Sequence, residues 1–265
     1  PWLDAGIVPF STLKYLDDHN YWEKWFPADW ISESFPGQFR NWFYSLLTMS
    51  TVLESREPFS TVFSYALMRD AKGDEMHKSK GNAIWLEDAA EKMGVDAMRW
   101  VFVKHNPASN LNFGFGIADD VRRRFLIPLW NVYSFFVTYA NLDSFNPTTT
   151  QTTHTISDLD SWIISEMNSL IVDVTSALDG YDSAEAGRRM EEFVDLLSNW
   201  YVRRSRRRFW KSESDEDKLA AYTTLYECLT TFVRLLAPSL PFISEAIYQN
   251  MVRSVDNNAP TSVHL

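Results

Sequence analysis

Residues 74–82 read "DEMHKSKGN", a short basic loop in an otherwise acidic chain. The run "STVFSYAL" (60–67) comes before it, and its β-branched and aromatic residues predict a buried strand. A helical pattern from Glu87 to Phe102 follows it. The order strand, loop, helix predicts an α/β domain, in which phosphate sites usually form at the carboxyl ends of strands.

Two interpretations of this loop remain open from the residues alone. Lys78 and Lys80 flank Ser79, and lysines on a mobile loop can neutralise the charge that develops as pyrophosphate leaves. The loop has no Gly-rich cradle of the Walker type, however. Spacing by itself therefore favours a plain solvated turn over a phosphate-binding loop.

The composition indicates a folded protein of one or two domains. The chain has 265 residues, of which 45% are hydrophobic and 15% aromatic, enough for a sizeable core. Cys228 is the only cysteine, so no internal disulfide forms, which favours a reducing compartment. One cysteine and five scattered histidines predict no metal site. No apolar run is long enough to span a membrane.

Helical patterns dominate the rest of the chain. Apolar spacing predicts a helix over residues 37–53 and another over 118–142, which Pro128 should kink unless it lies near the start. The Thr-rich segment 144–157 is expected to be a linker or long loop. Further helices are predicted at 158–178, 183–211, 215–236 and 241–252.

The helix predicted over residues 183–211 is strongly basic. Between residues 188 and 211 eight lysines and arginines stand against three acids, although the chain carries a net charge of -10. An apolar stripe is predicted from Phe193, Leu196, Leu197 and Trp200. The arginine cluster comprises Arg203, Arg204, Arg206, Arg207 and Arg208.

A charge run is most often only a solvated face, but five neighbouring arginines repel each other unless a polyanion compensates them. On a helix, Arg203 and Arg207 share one face, while Arg204, Arg208 and Lys211 share the next. Arginine also suits phosphate forks and stacking on bases. The cluster therefore favours contact with RNA.

The loop "EMHKSKGN" resembles the KMSKS signature loop of class I aminoacyl-tRNA synthetases. Met76, Lys78 and Ser79 agree with the signature, whereas Glu75 and His77 replace a Lys and a Ser. Other stretches resemble the isoleucyl branch of that family in the right order. They are "PWLDAGIVPF" (1–10), "WFPADWISESFPGQFRNWFYSLL" (25–47), "GVDAMRWVF" (94–102) and "LSNWYVRRSRRRFW" (197–210).

This resemblance implies a fold of two parts. Residues 1–118 would be the C-terminal part of a Rossmann-like nucleotide-binding catalytic domain. Residues 119–265 would be an incomplete, all-α anticodon-binding helical bundle. The parent protein would use ATP with Mg²⁺ to activate isoleucine and would transfer it to tRNA(Ile), as a cytoplasmic monomer.

The resemblance also implies roles for single residues. Lys78 would stabilise the pyrophosphate side of ATP, with Ser79 and Lys80 supporting the loop. Glu33 and Gln38 match residues of the adenylate site. Trp2 and Trp42 match tryptophans that line the isoleucine pocket. The residues expected to contact tRNA are Arg203, Arg204, Arg207, Arg208 and Lys211.

Two other functions remain open. The sequence begins with Pro1 and shows no His-Ile-Gly-His-type motif or editing insertion, so we expect part of a longer chain that is inactive in isolation. A valyl- or leucyl-type synthetase is one alternative, against which the 197–210 segment argues. A non-catalytic tRNA-binding module is the other, and Glu75 in place of Lys is the feature that favours it.

Overall fold

The computed structural model describes residues 1–149, 156–211 and 215–265. Its backbone contacts divide the chain into two units, which are described here separately. The first comprises Pro1–Met76 and Asn106–Asn112, and the second comprises His77–His105 and Phe113–Leu265. The domain boundary at residue 118 stays a prediction. The linker predicted at 144–157 lies partly outside the described residues.

The first unit combines short helices with two small parallel sheets. Its elements are α1 (Trp2–Ser11), α2 (His19–Glu23), β1 (Ala28–Ser34), α3 (Phe35–Gln38), α4 (Trp42–Glu54), β2 (Phe59–Tyr65), β3 (Met68–Arg69) and β4 (Leu111–Asn112). Strand β1 pairs with β2, with Glu33 opposite Ser64, and β3 pairs with β4. Parallel pairing is typical of α/β folds.

Two predictions for this unit need correction. Strand β2 forms where predicted, but its residues alternate between half-buried and exposed, so it is not a buried strand. The helix predicted over residues 37–53 is broken between α3 and α4. The apolar spacing persists through the break, which is why periodicity alone did not reveal it.

The core of the first unit lies beneath α1 and α4. Phe10, Trp22 and Phe26 form a buried aromatic cluster, against which Met49 packs. Helix α1 approaches α4 closely at Gly6, where a Cβ atom would lie 2.7 Å from the carbonyl oxygen of Ser45. The short side chain thus permits the helix contact.

The second unit is helical. Its helices are α5 (Leu86–Met93), α6 (Val95–Val103), α7 (Phe115–Val121), α8 (Ile127–Leu142), α9 (Asp158–Asp179), α10 (Ser183–Asp195), α11 (Arg203–Trp210), α12 (Asp215–Leu236) and α13 (Pro241–Tyr248). π-Helical segments follow α7 (Arg122–Leu126), α10 (Leu196–Val202) and α13 (Gln249–Arg253). No helix in the described part of the chain is long and apolar enough to cross a membrane.

The predicted helix from Glu87 to Phe102 is two helices. Gly94 separates α5 from α6 with a φ of 81°, a left-handed conformation that glycine adopts readily. Helix α6 is held within the second unit by Arg99, whose Nε donates to the carbonyl of Ser239 at 2.8 Å. Asp96 accepts from the backbone N–H of Ile243 at 2.7 Å. The sequence after the signature loop is therefore part of the helical unit.

Pro128 is the second residue of α8, but α8 continues without interruption from the π-helical segment before it, so Pro128 lies inside a continuous helical stretch and not at a helix start. The chain enters α8 directly from the π-helical segment Arg122–Leu126. Phe125 of that segment is fully buried and stacks on Trp100 of α6, with ring centroids 4.3 Å apart. This contact packs α6, which follows the signature loop, against the helical segment that leads into α8.

Candidate functional site

The signature loop, residues 74–82, lies between two ordered turns. Just before it, Gly73 turns the chain with a φ of 91°, and at its start Glu75 forms an antiparallel bridge with Arg69. Within it, Lys78–Lys80 form a single 3₁₀ turn that Gly81 ends with a φ of 70°. Glu75, which replaces the usual lysine, thus occupies a backbone pairing position.

The three loop residues predicted to act on ATP, Lys78, Ser79 and Lys80, are exposed. The Nζ of Lys78 lies 4.6 Å from the centroid of the Trp85 ring, in a cation–π contact. Asn82 Oδ1 accepts the backbone N–H of His77 at 2.9 Å and so ties the two ends of the turn together. In the described part of the chain neither Lys78 nor Lys80 pairs with a carboxylate. The loop therefore presents two uncompensated ammonium groups on an ordered backbone.

Glu33 lies at the carboxyl end of β1, the edge at which ligands bind in open parallel sheets. Its Oε1 accepts the backbone N–H of Ser34 at 2.8 Å and the hydroxyl of Tyr65 at 2.9 Å. The bond from Ser34 and then that from Tyr65 lower the pKa of Glu33, and this outweighs the effect of burial. The carboxylate is therefore charged at neutral pH and can accept further hydrogen bonds.

Gln38 and the two pocket tryptophans are found on helices of the same unit. Gln38 Oε1 accepts the backbone N–H of Trp42 at 3.1 Å, so the side chain caps the start of α4. Trp2 and Trp42 are the first residues of α1 and α4, which pack against each other. Trp42 is half-buried, and Trp2 is about half exposed (49%).

An apolar groove of about 580 Å³ opens in the first unit, and the predicted pocket residues do not line it. Its walls come from α3, α4, β1's partner strand β2 and the residues between α3 and α4: Phe35, Phe39, Arg40, Phe43, Tyr44, Leu47, Phe59 and Val62. Sequence analysis missed this groove. Its aromatic residues belonged to the same helical pattern as the core positions, and only the break after Gln38 separates them.

The arginine cluster divides into an internal and an external part. Arg208 is almost buried, and its guanidinium makes a two-pronged ion pair with Asp160 at 2.7 and 2.8 Å. It also bonds Asp217 at 2.7 Å. Tyr201 donates to Asp160 at 2.6 Å. Arg203, Arg204, Arg206, Arg207 and Lys211 are exposed.

The electrostatics of this network follow from burial and bonding. Burial raises the pKa of Asp160, but hydrogen bonds from Arg208, Tyr201 and Ser157 outweigh it and hold the pKa below its usual value. The pKa of Tyr201 is raised well above its usual value by burial and by the Asp160 charge. Arg208 thus neutralises a buried carboxylate inside the helical unit.

Trp200 does not belong to the apolar stripe predicted for the basic helix. It is 51% exposed, whereas its neighbours Leu197 and Tyr201 are fully buried. The reason is the π-helical segment Leu196–Val202, whose wider turn changes the angular spacing of side chains. A pattern with a constant period of 3.6 residues does not detect this change.

Three other carboxylate and imidazole groups lie together, although no metal site is predicted. His19, Glu23 and Glu54 place ligand atoms within 4.8 Å of one another in the first unit. Arg56 already pairs with Glu23 at 3.1 Å, and the hydroxyl of Tyr15 donates to Glu54. These partners compensate the carboxylates without a metal ion.

Comparison with known protein families covers most of the chain. Residues 1–114 match the family model for class I tRNA synthetases of the I, L, M and V types, and residues 160–265 match the anticodon-binding domain of tRNA ligase. Relatives named isoleucine–tRNA ligase include those of Dehalococcoides mccartyi, 48% identical over 269 residues, and Thermus thermophilus, 42% identical over 267 residues. Each match covers 100% of this chain and 26% of the relative.

Solved structures share the fold at low sequence identity. Methionyl-tRNA synthetase of Mycobacterium tuberculosis, in complex with methionyl-adenylate, superposes with a TM-score of 0.70 at 20% identity. The match covers 96% of this chain and 53% of that one. A LeuRS of Agrobacterium radiobacter, in a ternary complex with tRNA and LeuAMS, gives 0.66 at 18% identity over 89% of this chain and 28% of that one. The chain belongs to the class I aminoacyl-tRNA synthetases, as a homologue of the isoleucine–tRNA ligase segment that joins the catalytic fold to the anticodon-binding helices.

Proposed function

We propose that this chain supplies the signature loop and the tRNA-binding helices of an isoleucine–tRNA ligase. Such an enzyme forms isoleucyl-adenylate from isoleucine and ATP with Mg²⁺ and then transfers isoleucine to tRNA(Ile). The observation that carries the proposal is the 48% identity, over the whole chain, to a relative named isoleucine–tRNA ligase. The leucyl-type structure compared above is 18% identical to this chain.

In this proposal Lys78 neutralises the charge that develops on the departing pyrophosphate. Its ammonium group rests on Trp85, and an exposed cation–π contact contributes only about 0.5–1 kcal/mol. A polyphosphate therefore competes readily with the ring. Ser79 and Lys80 share the 3₁₀ turn and are likewise exposed. Preorganised cations of this kind act most strongly where charge develops.

The first unit would hold the amino acid and the adenylate. The charged Glu33 carboxylate can accept hydrogen bonds from the adenylate or from the ammonium group of isoleucine. Trp2 and Trp42 offer flat apolar surfaces, which suit a branched side chain that only burial can stabilise. Gln38 would line the site. Because it also accepts the backbone N–H of Trp42, it would fix the position of that tryptophan.

The external part of the arginine cluster would contact tRNA. Arg203, Arg204, Arg207 and Lys211 are exposed and can reach phosphates, whereas Arg208 is held by Asp160. We assign Arg208 a stabilising role in place of the RNA contact expected from the sequence. The parent enzyme is proposed to act in the cytoplasm as a monomer.

A chimeric enzyme tests the catalytic part of this proposal. The segment of the Dehalococcoides mccartyi relative that matches this chain would be replaced by the chain, and isoleucine-dependent ATP–pyrophosphate exchange would be measured. We expect exchange, best with isoleucine rather than valine or leucine, and none from the chain by itself. Lys78→Ala should lower exchange by about 100- to 1000-fold, the loss typical of removing one preorganised stabilising group.

Lys24→Ala is the matched control, since Lys24 is an exposed lysine in the other unit and should leave exchange unchanged. A chimera that folds and binds tRNA(Ile) but shows no exchange would instead support the tRNA-binding module. Glu75 is the feature that favours that second function. If Glu75 is the cause of the lost chemistry, Glu75→Lys in the same chimera should restore exchange.

A further inference from the structure

A groove beside the arginine cluster is the strongest feature that the proposed function leaves unused. We call it the tryptophan groove. Its volume is about 840 Å³, and it lies wholly within the helical unit. One wall comes from the first two turns of α9 and the other from one stripe of the basic helix: Asp158, Leu159, Trp162, Leu196, Trp200 and Arg204.

The π-helical segment Leu196–Val202 places the Trp200 side chain outside the core. The core side of the same segment is occupied by Leu197 and Tyr201, both fully buried. Trp200 is left 51% exposed, and Trp162 across the groove is half-buried. Large exposed aromatic side chains that line one concave surface mark an interaction site more often than a structural one.

The chemistry of the groove suits a flat, polar-edged ring. The guanidinium carbon of Arg204 lies 5.4 Å from the centroid of the Trp200 ring, so cation and aromatic surface are presented together. Asp158 adds a carboxylate at the groove wall, which can accept a hydrogen bond from a base amino group. An aliphatic ligand could form neither a cation–π contact with Arg204 nor a hydrogen bond with Asp158.

The charges around the groove indicate that the ligand's ring is attached to phosphates. The exposed Arg203 and Arg207 follow Trp200 by one and two helical turns, and both are suited to phosphates. Aromatic side chains next to a positively charged surface are the usual platform for single-stranded nucleic acid. A base in a duplex is already stacked and paired, so only an unpaired base can enter.

We propose that the tryptophan groove stacks one unpaired base of an RNA, with Trp200 and Trp162 as the stacking surfaces. Arg204 holds the Trp200 ring in place and adds a cation–π contact to the base. The neighbouring arginines bind the phosphates on either side. This inference rests on the proposed tRNA-binding function and assigns the base-contacting residues within it.

The experiment measures RNA affinity by fluorescence anisotropy at one salt concentration. The probes are a tRNA(Ile) transcript, an RNA hairpin with a single-stranded loop, and a blunt duplex with the same stem. Trp200→Ala should weaken binding to tRNA and to the hairpin by about 5- to 150-fold, the range for losing one stacked base. Binding to the duplex should be unchanged, because duplex binding depends on phosphates alone.

Two further variants make the test specific. Trp200→Phe keeps an aromatic surface and should recover most of the affinity for the hairpin. Trp25→Ala removes an equally exposed tryptophan (58%) in the first unit and should change nothing. Thermal unfolding of each variant shows whether the fold is intact, and exposed residues are expected to leave it so.

The outcomes separate this inference from the proposed function. If Trp200→Ala leaves hairpin and tRNA affinity unchanged while the wild-type chain binds tRNA(Ile), the inference is overturned and the proposed function stands. If Trp200→Ala weakens hairpin binding while the wild type shows no preference for tRNA(Ile) over another tRNA, the inference stands and the proposed function loses support. A wild-type chain that binds no RNA, or a groove that instead binds a protein, overturns the inference.

Discussion

At the residue scale, the fate of Arg208 depends on a single buried carboxylate. Asp160 is completely buried, so it needs a cation and hydrogen-bond donors to stay charged. Arg208, Tyr201 and Ser157 supply them. The same guanidinium cannot be given to an RNA phosphate without leaving Asp160 unpaired, and this explains why one arginine of the cluster is internal.

The Asp160 network should make the helical unit sensitive to acid. A carboxylate whose pKa is lower in the folded state stabilises the fold above its unfolded pKa, here the usual 3.8, and loses that contribution as pH falls towards the lower folded value. Unfolding followed by urea titration should therefore show falling stability below about pH 4. Asp160→Asn should cost about 3–5 kcal/mol at neutral pH, because Arg208 loses its buried carboxylate partner and keeps only the partly exposed Asp217.

The Asp160→Asn variant should also lose part of the acid dependence, since the titrating group is gone. Asp179→Asn is a suitable control, because Asp179 is an exposed acid at the end of the same helix. Equal pH dependence in wild type and Asp160→Asn would contradict the assignment of this acid sensitivity to Asp160.

At the element scale, breaks and bulges decide which side chains are presented. Helix α10 passes through a π-helical segment before α11, and this places Trp200 outside and Tyr201 inside. Gly94 likewise divides a predicted single helix into α5 and α6. Neither the π-helical segment nor the break at Gly94 interrupts the helical spacing of apolar residues. The sequence pattern therefore detects the helices but not the change of turn or the break within them.

The contact between α1 and α4 gives a prediction at this scale. In Gly6→Ala the added Cβ would lie 2.7 Å from the Ser45 oxygen and 2.9 Å from Met49 Cγ, so the helices must separate. We expect a loss of about 1–3 kcal/mol in the free energy of unfolding of the first unit. Urea denaturation combined with hydrogen exchange of the α4 amides would measure and localise it.

Gly37→Ala provides the comparison, because Gly37 has no atom within 4 Å of the new Cβ. It should be neutral or stabilise by about 0.4–1 kcal/mol through the unfolded state. Similar losses in both variants would mean that the close helix approach is not what makes Gly6 necessary.

At the scale of the whole molecule, residues 77–82 of the signature loop and the helices after it belong to the helical unit. Trp100 of α6 is fully buried, stacks on Phe125 and donates its Nε1–H to Glu191 at 2.8 Å. Lys104 pairs with the same carboxylate at 2.8 Å. Through these contacts, the position of α6, which follows the signature loop, depends on the stability of the helical bundle.

Truncating Trp100 tests that connection. Trp100→Ala should destabilise the helical unit by about 3–5 kcal/mol, because it leaves a large cavity and removes a buried hydrogen bond to Glu191. Trp130→Ala, at a position that is 45% exposed in the same unit, should cost about 1 kcal/mol or less. Thermal unfolding followed by near-ultraviolet circular dichroism measures both, and comparable shifts would contradict a special role for Trp100.

The sequence by itself determined the helical character of the second unit, the positions of α9 and α12 to within about two residues, the location of the signature loop and the family. These depend on local periodicity, on turn residues and on residue order. The tertiary structure alone decided the half-burial of β2, the capping role of Gln38, the internal position of Arg208 and the exposure of Trp200. Arg208 and β2 depend on partners distant in sequence, Trp200 depends on a change in helical turn, and Gln38 depends on the break between α3 and α4. None of these is encoded in the spacing of neighbouring residues.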